Sequence, residues 1–214
     1  MLGPNGAGKT TTIRILSTVL PPDRGEVTIG GFSLRTHGAA ARKLIGSCPQ
    51  ELALYEDLSA LDNLIFFGRM EGLGGREARA QGMANLELVG LAERAKDKVK
   101  HFSTGMKRRV NLVVALMGEP SLLFLDEPTV GIDPQSRNNI YDTITNLRAN
   151  NMTILYTTHY MEEADRLCNR IAIMDGGSII AMETPRNLKS RLGPPDQTSL
   201  EDVFLSLTGR RLRD

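Results

Sequence analysis

The stretch GPNGAGKT, Gly3 to Thr10, sets glycines where a backbone could wrap an anion and follows them with a lysine and a hydroxyl. It fits the phosphate-loop pattern GxxxxGK[ST]. In that pattern consecutive backbone N–H groups point at phosphate oxygens, Lys9 neutralises charge on the outer phosphates, and Thr10 offers its hydroxyl to magnesium. The alternative is a glycine turn that only caps a helix, but four constrained positions rarely coincide by chance. A second group of candidates stands where apolar runs end. Asp126 and Glu127 close SLLFLDEP, and in open α/β sheets ligands bind beyond the carboxyl ends of strands. There Asp126 would hold magnesium through water, and Glu127 would orient and deprotonate an attacking water; two acids could otherwise simply cap the next turn. His159 ends the apolar run TILYTT and falls on the same rim, a placement that His37 and His101 lack. Gln50, just past LIGSC, also reaches the rim, where its amide could meet magnesium or water.

The segment HFSTGMKRRV puts a hydroxyl, Ser103, and a glycine, Gly105, directly before a helical stretch. A helix N-terminus carries unpaired N–H groups and attracts anions, yet Ser103 could be no more than an N-cap. The cations around it, Lys96, Lys98, Lys100, Lys107, Arg108 and Arg109, have few interleaved aromatics to stack on bases. They read as a solvated, anion-attracting face, and no nucleic-acid partner is expected.

These residues need a scaffold of alternating strands and helices. Apolar positions Ile13, Leu16, Val19 and Leu20 predict a helix from Lys9 to Leu20, stopped by PPDRG. A short strand and turn at EVTIGGFSL, a helix around Ala39 to Lys43 and a buried strand at LIGSC follow. From about Ser59 to Gly118 only helical stretches occur, which predicts an all-helical insertion. The chain then returns to alternation: a buried strand at SLLFLDEP, a helix from Pro134 to Ala149, a strand at MTILYTTH, a helix at MEEADRLC, and strands IAIMD and SIIAM joined through DGG, a hairpin signal. Such alternation predicts an α/β fold, a parallel sheet with helices on both faces, closed by a C-terminal hairpin. The predicted division is 1–50 for the phosphate-loop part of the core, 51–118 for the helical subdomain, 119–192 for the rest of the core and 193–214 for a tail. The tail reads as a loop, a short amphipathic helix and a basic end at Arg210, Arg211 and Arg213.

Composition narrows the partners. With 214 residues, 41% apolar and 24% charged, and a net charge of +1, the chain can bury a core and has no global field that demands nucleic acid or an anionic membrane. Its apolar runs fall short of the roughly 18 residues of a membrane span, so any membrane it serves is crossed by another chain. Cys48 and Cys168 lack CxxC spacing and no signal peptide precedes them, which reads as reduced thiols in the cytoplasm.

The ordered set GPNGAGKTT, CPQE, FSTGM, LLFLDEP, GIDP and TTH resembles the ATP-binding cassette (ABC) family along essentially the whole chain. The resemblance implies a P-loop NTPase fold and a cofactor pair of ATP and Mg2+. It also implies ATP-binding roles for Gly3, Pro4, Asn5, Gly6, Ala7, Gly8, Lys9, Thr10 and Thr11, and magnesium contacts from Thr10, Gln50 and Asp126. Glu127, His159 and Gln50 become the catalytic set, with Gln50 the Q-loop glutamine and His159 the switch histidine; Asp133 becomes the D-loop aspartate. Ser103, Thr104, Gly105 and Met106 become the signature, which in this family faces the ATP of a second cassette. Against the family's common LSGGQ, Thr104 replaces a glycine and Met106 a glutamine, while the phosphate-facing Ser103 and Gly105 remain. The stretch THYMEEADRLCNRIAIMDGG and the tail SLEDVFLSLTGR are similar to cassettes of the drug-resistance and ABC-2 type. Their implication is an exporter ATPase on the inner face of the membrane, working as a cassette dimer with a separate transmembrane permease subunit. In the family a core strand precedes the loop, and before that comes an aromatic that stacks on adenine. Neither has a counterpart here, since Tyr55, Tyr141, Tyr156 and Tyr160 fall elsewhere in the motif order, so a sequence truncated at its N-terminus is expected. A soluble cassette acting on ribosomes or DNA would usually carry a second cassette or a coiled coil, and a small GTPase or kinase would lack the signature-bearing insertion; neither fits the pattern.

Overall fold

The computed structural model describes residues 1–209, so the expectation for Arg210, Arg211 and Arg213 lies outside the described residues. The chain forms two compact units, one of Met1–Ile15 with Tyr156–Asp214 and one of Leu16–Leu155.

In the first unit the phosphate-loop stretch leads into α1 (Lys9–Leu16). The residues ahead of the loop behave as a strand. Leu2 makes parallel bridges to both Thr158 and Ile173, and its N–H donates to the Ala172 carbonyl at 2.9 Å while its own carbonyl accepts from Met174 at 2.8 Å. The helix α7 (Met161–Leu167) follows, and β6 (Ile171–Asp175) and β7 (Ser178–Glu183) pair antiparallel. Gly176 and Gly177 join them, both at positive φ, as a two-residue hairpin turn requires. Two helices complete the unit, α8 (Pro185–Ser190) and α9 (Leu200–Thr208). The core gathers Leu2, Ile171, Ile173, Leu188, Leu200, Val203 and Phe204. Each such side chain contributes about 1.5 to 3 kcal/mol by leaving water.

The second unit opens with a hairpin of β1 (Thr28–Ile29) and β2 (Phe32–Ser33), then α2 (Leu34–Arg42) and β3 (Ile45–Cys48). Its middle is helical: α3 (Ala60–Met70), α4 (Gly75–Leu88), two short 3-10 turns and α5 (Thr104–Val114). The helices α3 and α4 pack closely because Gly82 leaves room for Leu61 and Leu64, and Gly68 for Met117 and Ala78. Strand β4 (Leu122–Asp126) lies parallel to β3, and the sheet order is β3-β4-β5 with β5 at Thr153–Thr157. Every residue of β4 after Leu122 is buried, which accounts for its unbroken apolar run. Helix α6 (Pro134–Ala149) starts at the N-cap Asp133.

Three expectations change in detail. The first helix ends at Leu16 rather than Leu20, because Thr18 turns left-handed at φ 65° and breaks the backbone pattern four residues early. Helix α2 begins at Leu34, five residues before its alanine run, and bends at His37. Helix α8 was not expected: TPRNLKS lacks apolar periodicity, yet Thr184 caps it by accepting from the Asn187 N–H and Pro185 fits the first turn. Among the described residues no helix is long and apolar enough to cross a membrane.

Candidate functional site

In the first unit the loop from Gly3 to Gly8 is held from outside as well as within. Gly177 donates to the Ala7 carbonyl at 3.1 Å, and Gly3 donates to the Thr158 carbonyl at 3.3 Å. Gly3 must be glycine because a Cβ there would collide with the Met174 carbonyl oxygen. Gly6 and Gly8 stand at φ 79° and 100°, where only glycine is unstrained. The loop runs straight into α1, so the unpaired N–H groups of that helix's first turn face it. Lys9 is 4% exposed, and its ammonium donates to the Gly3 carbonyl at 2.8 Å and the Pro4 carbonyl at 3.0 Å. The lysine is thereby folded over the loop it serves. Thr10 is half-buried and Thr11 exposed, while Asn5 and Gly6 form the exposed tip.

His159 follows Thr158, the residue that Gly3 contacts, so the histidine and the loop's first glycine lie on one rim of this unit. Its imidazole packs on Tyr160, ring centroids 4.1 Å apart. The turn beneath it is fixed by Glu163, a buried carboxylate that sequence reasoning passed over as one more acid in a helical stretch. Glu163 accepts from the Tyr156 hydroxyl at 2.8 Å and from the Thr158 hydroxyl at 2.7 Å, and the Thr158 hydroxyl accepts from the Tyr160 N–H at 2.9 Å. The available signal was spacing, because Thr158 and Glu163 bracket the start of α7 with two aromatics between and beside them.

The second unit holds the acidic pair. The parallel register sets Cys48 beside Leu125, so Gln50 and Glu127, each two residues further on, leave the same edge of the sheet. Asp126 is 3% and Glu127 5% exposed. Glu127 sits at φ 46°, a left-handed backbone that costs a non-glycine residue on the order of 1 kcal/mol and that turns the chain sharply at the strand end. Gln50 is exposed, but its backbone is tied down: the Arg108 guanidinium donates to its carbonyl. Burial lowers the Arg108 pKa. Cys48, wholly buried, has its thiol pushed up to about 12 by desolvation.

The signature stretch begins α5. The Ser103 hydroxyl accepts from the Met106 N–H at 3.2 Å, so the capping reading describes the geometry, and the same residue stays exposed at the helix N-terminus. Gly105 is buried against the start of α6: a Cβ there would collide with the Ser136 side chain and approach the Asp133 carboxylate at 3.5 Å. Asp133 in turn accepts from the Ser136 N–H at 2.9 Å, and these Ser136 bonds lower its pKa. Ser103, Gly105 and Asp133 are therefore brought together. Thr104 is exposed, and the half-buried Met106 sulfur takes a long contact of 3.7 Å from Arg94, whose guanidinium lies over Phe102. Of the three oxygen donors considered for magnesium, Gln50 and Asp126 belong to this unit and Thr10 to the other. Among the described residues no group of three or more His, Cys, Asp or Glu could cage a metal. Taken singly, a hydroxyl, an amide oxygen and a carboxylate are each hard donors of the kind magnesium takes while it keeps much of its coordination for water and phosphate.

A family model described as ABC transporter matches residues 1–130. The chain is 54% identical over 193 residues to the linearmycin resistance ATP-binding protein LnrL of Bacillus subtilis, covering 90% of this chain and 62% of that protein. It is 40% identical to the Nod factor export ATP-binding protein I of Paraburkholderia xenovorans, covering 98% of this chain and 72% of the other. Among solved structures, an ATP-binding subunit of an ABC transporter superposes with a TM-score of 0.83 at 30% identity, covering 97% of this chain and 86% of the other. A dimeric cassette in a post-hydrolysis state bound to ADP and Pi gives a TM-score of 0.76 at 25% identity, covering 86% of this chain and 83% of the other. The chain spans about three fifths of the length of LnrL.

Proposed function

Because this chain belongs to the ABC transporter family, we propose that it is the ATP-binding and ATP-hydrolysing subunit of an exporter, coupling hydrolysis to transport by a separate transmembrane subunit. The observation that carries the reading is the buried end of β4, where Asp126 and Glu127 leave the sheet on the same edge as Gln50. In this reading the loop of Gly3 to Thr11 wraps the phosphates of ATP, backbone N–H groups beyond Pro4 point at them, and Lys9 swings from the Gly3 and Pro4 carbonyls onto them. Magnesium, when bound, would neutralise β and γ oxygens, held by the Thr10 hydroxyl, the Gln50 amide and, through water, Asp126. Glu127 takes a proton from water as that water attacks the γ-phosphorus, and the bond from that phosphorus to the β–γ bridging oxygen breaks. His159 orients the γ-phosphate side of the reaction from its seat on Tyr160. Ser103, Thr104, Gly105 and Met106 meet the nucleotide of a second cassette, with Asp133 beside them, in a homodimer.

The relatives named for linearmycin resistance and Nod factor export favour export. Contact with the membrane subunit falls to the helical segment between Leu58 and Gly90, where Leu58, Phe66 and Met70 expose apolar surface and Met70 is 72% exposed. In this reading the protein works at the inner face of the membrane. The test is Glu127→Gln in the intact protein. The amide keeps the size and hydrogen bonding of the acid but takes no proton, so hydrolysis should fall by about two to four orders of magnitude while ATP binding persists. The variant should accumulate as an ATP-bound dimer by size exclusion. Hydrolysis at the parent rate refutes the assignment.

A further inference from the structure

The Gln50 side chain is exposed, and a glutamine side chain free to rotate loses up to about 2 kcal/mol of rotamer entropy when it is fixed. Whatever Gln50 meets, it meets reproducibly only if its backbone is held. The structure shows what holds it. Asn111, 2% exposed on α5, donates from its amide nitrogen to the Cys48 sulfur at 3.2 Å and to the Pro49 carbonyl at 3.4 Å, and its amide oxygen accepts from the Ala53 N–H at 3.0 Å. Three bonds from one side chain thus grip the chain on both sides of Gln50. They also fix which way the amide points, since turning it over would set its NH2 against an N–H and its oxygen against a carbonyl. Arg108, three residues earlier on the same helical face, donates to the Gln50 carbonyl itself. The same helix has Ser103 as its N-cap and Gly105 in its first turn, about 12 and 9 Å away at 1.5 Å per residue.

We infer that Asn111 is a positioning residue for Gln50, tying the Gln50 segment to the helix that carries the signature so that the two move as one piece. The inference rests on the role given to Gln50 above. A second buried asparagine shows what a merely structural clamp looks like. Asn63 donates to the Tyr55 and Ser59 carbonyls at 3.0 and 2.9 Å and accepts from the Tyr55 N–H at 2.8 Å, closing a loop that holds none of the residues given a role toward nucleotide or magnesium.

The test measures ATP hydrolysis of the intact protein against magnesium concentration. Asn111→Asp keeps the oxygen that serves Ala53 but sets a second oxygen against the Pro49 carbonyl and the Cys48 sulfur. It should lower kcat about 10- to 100-fold and raise the magnesium needed for half-activation, the range typical of groups that orient a metal's ligands. ATP affinity measured without magnesium should not change. Asn63→Leu should lower Tm yet leave kcat and the magnesium dependence of the folded protein at parent values. Because Asn111 acts through Gln50, Asn111→Asp should add nothing in a Gln50→Ala background. Losses that multiply in the double variant overturn the inference, as does an Asn111→Asp protein with parent rate and magnesium dependence. Those results count against Asn111 alone, whereas failure of the ATPase reading itself shows in Glu127→Gln. Should Asn111→Asp not fold, hydrogen exchange on the unaltered protein decides: the Ala53 amide should exchange more slowly than those of its loop neighbours Glu51 and Leu52, and equal rates overturn the clamp.

Discussion

The end of β4 and the start of α5, both in the unit of residues 16–155, treat their functional residues in opposite ways. Asp126 and Glu127 are withdrawn from water to 3% and 5% exposure, one at the end of a buried strand and the other just past it. Ser103 and Thr104 stand exposed at a helix N-terminus whose buried side is fitted to Ser136 through Gly105. A group that must move a proton gains from low dielectric and a fixed backbone. A group that must meet another molecule has to remain on the surface. In the proposed reading the contrast separates chemistry done within one chain from recognition offered to a second.

The largest break in that contrast is Ser103→Arg. Its bulk and charge at the exposed helix start should abolish ATP-driven dimerisation by size exclusion while monomer ATP affinity stays within about twofold, because the strand end is untouched. Normal dimers would place the second nucleotide elsewhere. Next comes Glu163→Leu in the other unit, where a buried acceptor serves two hydroxyls. Each buried hydroxyl left without its acceptor costs about 1 to 3 kcal/mol, so thermal or urea unfolding should report a loss of roughly 2 kcal/mol or more. The His159 turn should loosen with it; a change under 1 kcal/mol would mean that the two hydroxyls find other acceptors. Gly105→Ala sharpens the signature side, since the added methyl meets Ser136 and overpacking costs about 1 to 3 kcal/mol. Restoring room with Gly105→Ala/Ser136→Gly should recover part of that loss.

The smallest effect concerns Cys48. With its thiol pushed from 9.0 to about 12, it stays protonated at pH 8 and should react with a thiol reagent far more slowly than the half-buried Cys168, both becoming equivalent in denaturant. The linkage has a definite sign. The folded pKa is raised, so the stabilising contribution is complete below the unfolded value and is lost as pH rises from about 9 towards 12. The slope cannot exceed about 1.4 kcal/mol per pH unit. Equal labelling rates in the native protein would show that the β3 end opens.

What could be read from sequence follows the same division. The buried strands announced themselves, because a run such as LLFLD has one physical use, and the register that sets Gln50 level with Glu127 follows from two such runs lying parallel. The hairpin was equally legible at DGG, and so was the helix that starts at Pro134, whereas its N-cap Asp133 came only with the structure. Less legible were elements governed by single backbone angles: Thr18 ends the first helix, and no apolar period could show that. Helix α8 is too short to have a period. The supports were hardest to see, since Glu163 and Asn111 are polar residues inside helices: spacing from Thr158 is a weak local signal for Glu163, and Asn111 has none, its partners lying some 60 residues away.

The bridge from Leu2 to Thr158 and Ile173 bears on how the protein is born. One unit is continuous in sequence and can assemble as it leaves the ribosome, but the ladder that closes the phosphate loop needs partners more than 150 residues downstream. At roughly 5 to 20 residues per second, the glycine-rich loop waits about ten to thirty seconds for the strand that will hold it. Nascent chains should therefore acquire nucleotide binding only after Ile173 has been made, and for that interval the loop lacks the partners that order it.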